Sequence, residues 1–143
     1  MLNPVVVQKQ DKSICIIYPT NECTNELLLR DIKQIIGYLN HYEITKDQIL
    51  KDRYFREAWE YTDKLNINIS KANDIHRQRL RILRQPLLAK LDIEYMRADE
   101  IKDEGQKSVI MEKKQRLRDI TNFKDSPDLE VLKTYKLNEL NNI

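Results

Sequence analysis

The residues of this 143-residue chain that could do chemistry are few and scattered. His41 and His76 are its only histidines, one in each half, and neither has a ligand or triad partner at local spacing. Zinc needs three or four converging ligands, and a nucleophile needs a base within reach, so no catalytic residue and no metal ligand is expected. Cys15 and Cys23 are the only cysteines and form no repeated Cys-x-x-Cys pattern. Cys15 lies in the apolar run Ile14-Cys15-Ile16-Ile17, where a buried reduced thiol behaving as a small hydrophobe is the simplest reading and fits a reducing compartment. Asp99, Glu100, Asp103 and Glu104 cluster in sequence but lack the alternating acidic frame and glycine of a calcium loop, so they read as a solvated tip. With two glycines in the chain there is no Gly-rich phosphate loop, and no cofactor is expected.

Two basic clusters remain, Arg77, Arg79, Arg81 and Arg84, and Lys113, Lys114, Arg116 and Arg118. On a common face they would hold phosphates. The chain carries 25 basic against 23 acidic residues, a net charge of +2, so it lacks the positive field of a nonspecific nucleic-acid binder. Interspersed acids point instead to ion pairs or a protein interface, and nucleic acid is disfavoured.

The densest aromatic cluster is Asp52-Arg53-Tyr54-Phe55-Arg56-Glu57-Ala58-Trp59-Glu60, with the only tryptophan. Phe55 and Trp59 are four apart, so one helical turn would put both on one side. The first reading is that they plug the joint between the small N-terminal unit and the helical hairpin, since large aromatics dominate core burial; the second is an exposed anchor of the Trp, Tyr and Arg type enriched at binding hot spots. The candidate partner-binding set is therefore Arg53, Phe55, Arg56 and Trp59 together with Arg77, Arg81 and Arg84.

The elements that must position these residues are mostly helical. Charged residues make up 34% of the chain and hydrophobic ones 41%, ordinary values for a soluble fold, and few glycines and prolines argue against a turn-rich all-β fold. Ala72, Ile75, Leu80, Leu83, Leu87, Leu91, Tyr95 and Ala98 recur every three to five residues, the spacing of a helical stripe that must be buried. Its first candidate partner is a returning helix over 106–120, with Val109, Ile110, Leu117 and Ile120 facing back. Ser70 is predicted to cap the first helix and Gly105 to supply a left-handed residue at the turn. Pro86, which removes a donor and crowds the carbonyl of Ile82, predicts a kink or break in a rod otherwise about 50 Å long at 1.5 Å per residue.

Upstream, Val5-Val6-Val7 and Ile14–Ile17 predict a β-hairpin, Thr24 or Asn25 a cap for a helix bearing Leu28, Ile32, Ile35 and Ile36 and ending at Gly37, and Tyr42-Glu43-Ile44 a third strand. Leu65, Ile67 and Ile69 alternate as a short strand would. Ser126-Pro127-Asp128 predicts the start of a last short helix with Leu129 and Leu132 inward, and the polar tail from Lys136 is expected to fray if nothing holds it. The expected fold is thus α+β, mainly α. A ββαβ unit occupies 1–50, an aromatic and basic connector 51–69, and a long kinked helical hairpin with a C-terminal helix 70–143. No run approaches the roughly 20 apolar residues of a membrane span and no leader pattern opens the chain, so a cytoplasmic product without a membrane anchor is expected.

Several of these residues also carry a resemblance. Asp52-Arg53-x-Phe55-Arg56-x-Ala58-Trp59, Lys71-Ala72 with Ile75-His76-Arg77 and Arg79-Leu80-Arg81, Arg84-x-Pro86-Leu87-Leu88 with Leu91-Asp92, and Lys114-Gln115-x-Leu117-Arg118-Asp119-Ile120-Thr121 resemble small proteins encoded among the tail and tail-fibre genes of tailed bacteriophages. The second half also resembles the phage tail assembly chaperone family, and together these segments cover about half of the chain. The resemblance implies a non-enzymatic virion protein, a small adaptor or accessory subunit of the tail or tail fibre, made in the host cytoplasm. Its implied partners are other phage structural chains or further copies of itself. The alternative it implies is a tail-fibre assembly chaperone absent from the mature particle.

Overall fold

A computed structural model describes all residues, 1–143. The chain is α+β and falls into two compact units, Met1–Asn68 and Ile69–Ile143.

The first unit follows the ββαβ order: β1 (Val5–Lys9), β2 (Ile14–Ile17), α1 (Asn25–Lys33) and β3 (Tyr38–Glu43). β1 is the central strand, antiparallel to β2 on one side and β3 on the other. Successive side chains of a strand point to opposite faces, and β1 uses both faces. Val5 and Val7 pack with Leu28 and Ile32 of α1, while Val6 points the other way, into a cluster with Ile44, Trp59 and Leu65. That second cluster is built by a hairpin of β4 (Trp59–Tyr61) and β5 (Leu65–Ile67), in which Trp59 faces Ile67. The unit is therefore three layers, helix, sheet and hairpin, and the hairpin lies within residues 51–69, read from sequence as a connector. The helical turn expected at Phe55–Trp59 is a short 3-10 turn, Arg56–Ala58, running into β4, because strand pairing takes Trp59.

Thr24 caps α1, its side chain accepting from the Leu27 amide. The helix stops at Lys33 with Gln34 as its cap, earlier than expected. Gly37, at φ +81°, instead shapes the turn into β3, leaving Ile36 in solvent. Cys15 and Cys23 are unpaired, and Cys15 is half-buried, not enclosed, because β2 is an edge strand.

The second unit is a hairpin of α2 (Ile69–Glu100) and α3 (Glu104–Asp119), followed by α4 (Leu129–Thr134) and α5 (Leu137–Asn141). Its core joins Leu80, Leu91 and Ala98 of α2 to Ile110, Leu117 and Ile120. α2 begins at Ile69, so Ser70 lies in its first turn and is not its cap. The helix runs through Pro86 without a break: buried residues on both sides of the proline are held in the same core, and that packing outweighs one lost backbone bond.

The left-handed turn residue is Lys102, at φ 58°, not Gly105. The amide of Lys102 bonds to the Asp99 carbonyl at 3.0 Å and that of Asp103 to the Ala98 carbonyl at 2.9 Å, the paired bonds of a Schellman ending. Asp103 then caps α3, its carboxylate accepting from the Gln106 amide, so the turn closes before Gly105, which is helical. The tail is not free: Leu140 of α5 is buried in the hairpin core, with Leu137 and Ile143 packed against it.

Candidate protein-interaction surface

Phe55 and Trp59 do not form a surface anchor. They are 2% and 1% exposed, and Trp59 sits among Val6, Ile44 and Leu65, where burial of its large apolar ring stabilises the unit. The Arg56 guanidinium stacks on the Trp59 ring, 4.5 Å from its centroid, and the indole Nε1 is buried with no hydrogen-bond partner. Of the candidate residues in this cluster only Arg53 is exposed.

The three arginines of α2 divide in the same way. Arg77 is spent inside the unit: it donates to the carboxylates of Asp74 (3.0 Å) and Asp125 (2.6 Å) and to the Phe123 carbonyl (2.9 Å), and stacks on the Phe123 ring. Arg84 donates to the carbonyls of Leu117 (3.1 Å) and Arg118 (2.7 Å), a cation placed on the orphan acceptors at the C-terminal end of α3. Arg81 is exposed and donates to the Gln78 side-chain oxygen at 3.3 Å. The set therefore does not converge on one site.

The acids at the tip are also structural. Lys107 donates to Asp99 (2.6 Å) and Glu104 (3.1 Å), which push its pKa upward, and Lys114 bonds Asp92 at 2.5 Å, so ion pairs run along the hairpin. His41 shares a hydrogen bond with the Tyr38 hydroxyl at 2.8 Å. His76 is 1% exposed and its Nε2 donates to the Tyr135 carbonyl at 2.9 Å. Burial first, and then Arg79 and Arg77, hold its pKa below the ordinary value of 6.5, so the ring is neutral at neutral pH. Asn73, one turn earlier, is buried and gives and takes three bonds, to the Ile69 carbonyl and to both backbone groups of Ser126. Asn73, His76 and Arg77 thus clamp the segment after α3 onto α2, a role for which their sequence carried no signal.

What remains unexplained by internal structure is the outer side of α2. Ile82, Ile93 and Met96 are 59%, 48% and 57% exposed, and Pro86 and Ala89 between them are exposed as well. Their spacing of four, three, four and three residues is the seam repeat of paired helices. At 100° per residue it lies on the side opposite Leu80, Leu91 and Ala98, so α2 has two apolar faces and the hairpin buries one. Leu83, expected in the buried stripe, is 49% exposed and flanks this outer seam. An open groove of about 580 Å³, lined by Leu83, Pro86, Leu87, Leu137, Leu140 and Ile143 among others, continues it toward the C-terminal helices.

Five apolar positions thus line one side of a charged helix, and Ile82, Ile93 and Met96 keep about half of their surface in water. Periodicity could have found it, because the repeat is in the sequence; the arginines around it draw the eye first. No helix of the chain is long and apolar enough to cross a membrane. No protein-family model, curated protein or solved structure matches the chain.

Proposed function

We propose that this chain is a non-enzymatic assembly subunit that docks through the outer seam of α2. The resemblance of its motifs supports the reading of a small adaptor or accessory subunit of a phage tail or tail fibre. The observation that carries the proposal is the second apolar face: Ile82, Pro86, Ala89, Ile93 and Met96 in helix-pairing register, opposite the face that α3 covers. The seam, with Arg81 and Arg97 beside it, replaces Phe55 and Trp59 as the surface through which partners bind. Arg77 and Arg84 support it from within the unit, and Arg53 stays available on the other unit.

The test is quantitative peptide mass spectrometry on gradient-purified particles of the phage that encodes the chain, set against the late-infection lysate. Fixed stoichiometry in particles, lost in an Ile93→Asp variant that keeps its helical circular dichroism, is the expected result. Abundance in the lysate with absence from particles would replace the virion subunit by an assembly chaperone. Normal incorporation of folded Ile93→Asp protein would remove the seam from the function.

A further inference from the structure

The flanks of the outer seam carry opposite charge. With Ile82, Ala89 and Met96 at one repeating seam position and Pro86, Ile93 and Glu100 at the other, one flank is Leu83, Lys90 and Arg97 and the other Gln85, Asp92 and Asp99. All six are exposed. In a parallel pair of such helices each flank meets the opposite flank of its partner, one heptad on, so Gln85 meets Lys90 and Asp92 meets Arg97. In an antiparallel pair each flank meets itself, Lys90 and Arg97 against each other and Asp92 against Asp99. The neighbouring charges compensate this asymmetry in part: Lys114 and Lys107 of α3 bond Asp92 and Asp99, and Glu94 lies 3.9 Å from Lys90. The two aspartates stay 57% and 62% exposed, so their free lone pairs are open to a partner, and Arg97 has no ion pair within the chain.

We propose that a second copy of this chain occupies the seam, with the two α2 helices parallel about a two-fold axis and Ala89, Ile93 and Met96 meeting their counterparts. The inference rests on the seam being a docking surface and names its occupant. Self-complementarity is the argument: a two-fold contact must satisfy one patch with itself, and this patch, apolar at its centre and acidic on one edge and basic on the other, does so in the parallel arrangement alone. The helices need not fold on meeting, since α3 already holds α2 in shape, so association costs less ordering than in an isolated coiled coil of the same length. Ala89 admits close approach, and the apolar groove beside Leu83 extends the surface beyond the seam.

Sedimentation equilibrium of the full chain over a concentration series tests this. The expected result is a reversible dimer whose dissociation constant rises about 100-fold or more in Ile93→Asp, which puts two charges into a dry seam, with circular dichroism unchanged. Asp92→Arg or Arg97→Asp alone should weaken it about fivefold or more, and the double exchange should recover affinity over either single variant. A wild-type chain that stays monomeric to about 100 μM overturns the proposal, as does a dimer indifferent to Ile93→Asp or charge exchanges that do not rescue one another. A monomeric wild type whose Ile93→Asp variant still fails to enter particles would mean that a different protein holds the seam: the docking reading stands and the second copy falls. A wild-type dimer broken by Ile93→Asp, with that variant entering particles normally, gives the converse.

Discussion

The two faces of α2 are made of the same kinds of residue and meet opposite fates. The inner face, with Leu80, Leu91 and Ala98, is closed by Ile110, Leu117 and Ile120, and its edges are tied by Arg84 and by lysines reaching across from α3. The outer face, with Ile82, Ile93 and Met96, is about half in water. Apolar side chains contribute to stability in proportion to the area withdrawn from water, so the inner face holds the hairpin together and the outer one is spare. The arginines repeat the contrast within about two turns: Arg77 and Arg84 bond to backbone carbonyls inside the unit, while Arg81 does not. A residue's type on this helix therefore says little about its role, and its direction around the axis says nearly everything.

The contrast can be broken by substitution. The largest loss should come outside α2, at Phe55→Ala, which empties a fully enclosed site and should cost the first unit about 3–5 kcal/mol. Emission of the buried Trp59, read during urea unfolding, reports it, and a loss under 1 kcal/mol would return Phe55 to the surface candidates. Leu117→Ala on the inner contact should cost about 2–5 kcal/mol by helical circular dichroism. Ile93→Ala, measured in dilute protein, should stay within about 0.5 kcal/mol of wild type, and equal effects at both sites would erase the distinction between the faces. Among the arginines, Arg84→Met should cost about 1–2 kcal/mol because two carbonyls lose a charged donor, whereas Arg81→Met should be close to neutral.

The smallest effect is set by pH. His76 has a folded pKa depressed by burial, so below the ordinary value of 6.5 the unfolded chain takes up a proton that the native chain refuses. Stability of the second unit should thus be unaffected by His76 above that pH, fall as pH drops through it, and level off once the folded ring also titrates. His76→Gln should flatten that segment of the thermal-stability profile, and a profile unchanged by the substitution would mean that His76 is not the group responsible.

Much of the architecture was legible in local pattern. The Val5–Val7 and Ile14–Ile17 runs are β-branched and became β1 and β2, Thr24 capped α1, and the 3.6-residue repeat of Leu80, Leu91 and Ala98 became the hairpin core. The candidate site was less so. Phe55 and Trp59 read first as a plug and second as an anchor, and a sequence pattern of apolar residues does not say which partner closes over it. The long stripe drawn through Leu83 hid the second one beside it.

What this sequence determined alone is the set of elements, since helix and strand follow from spacing and from propensities summed over many residues. It also determined the two-sided apolar pattern of α2, because direction around a helix is fixed by residue number. Tertiary structure decided the rest. It made Lys102 and Asp103 the turn in place of Gly105, carried the helix through Pro86, buried Trp59 behind Val6, and turned Asn73, His76 and Arg77 into a clamp. Each of these depends on groups distant in sequence competing for the same space or the same hydrogen bond, and such a competition is settled only when the elements pack.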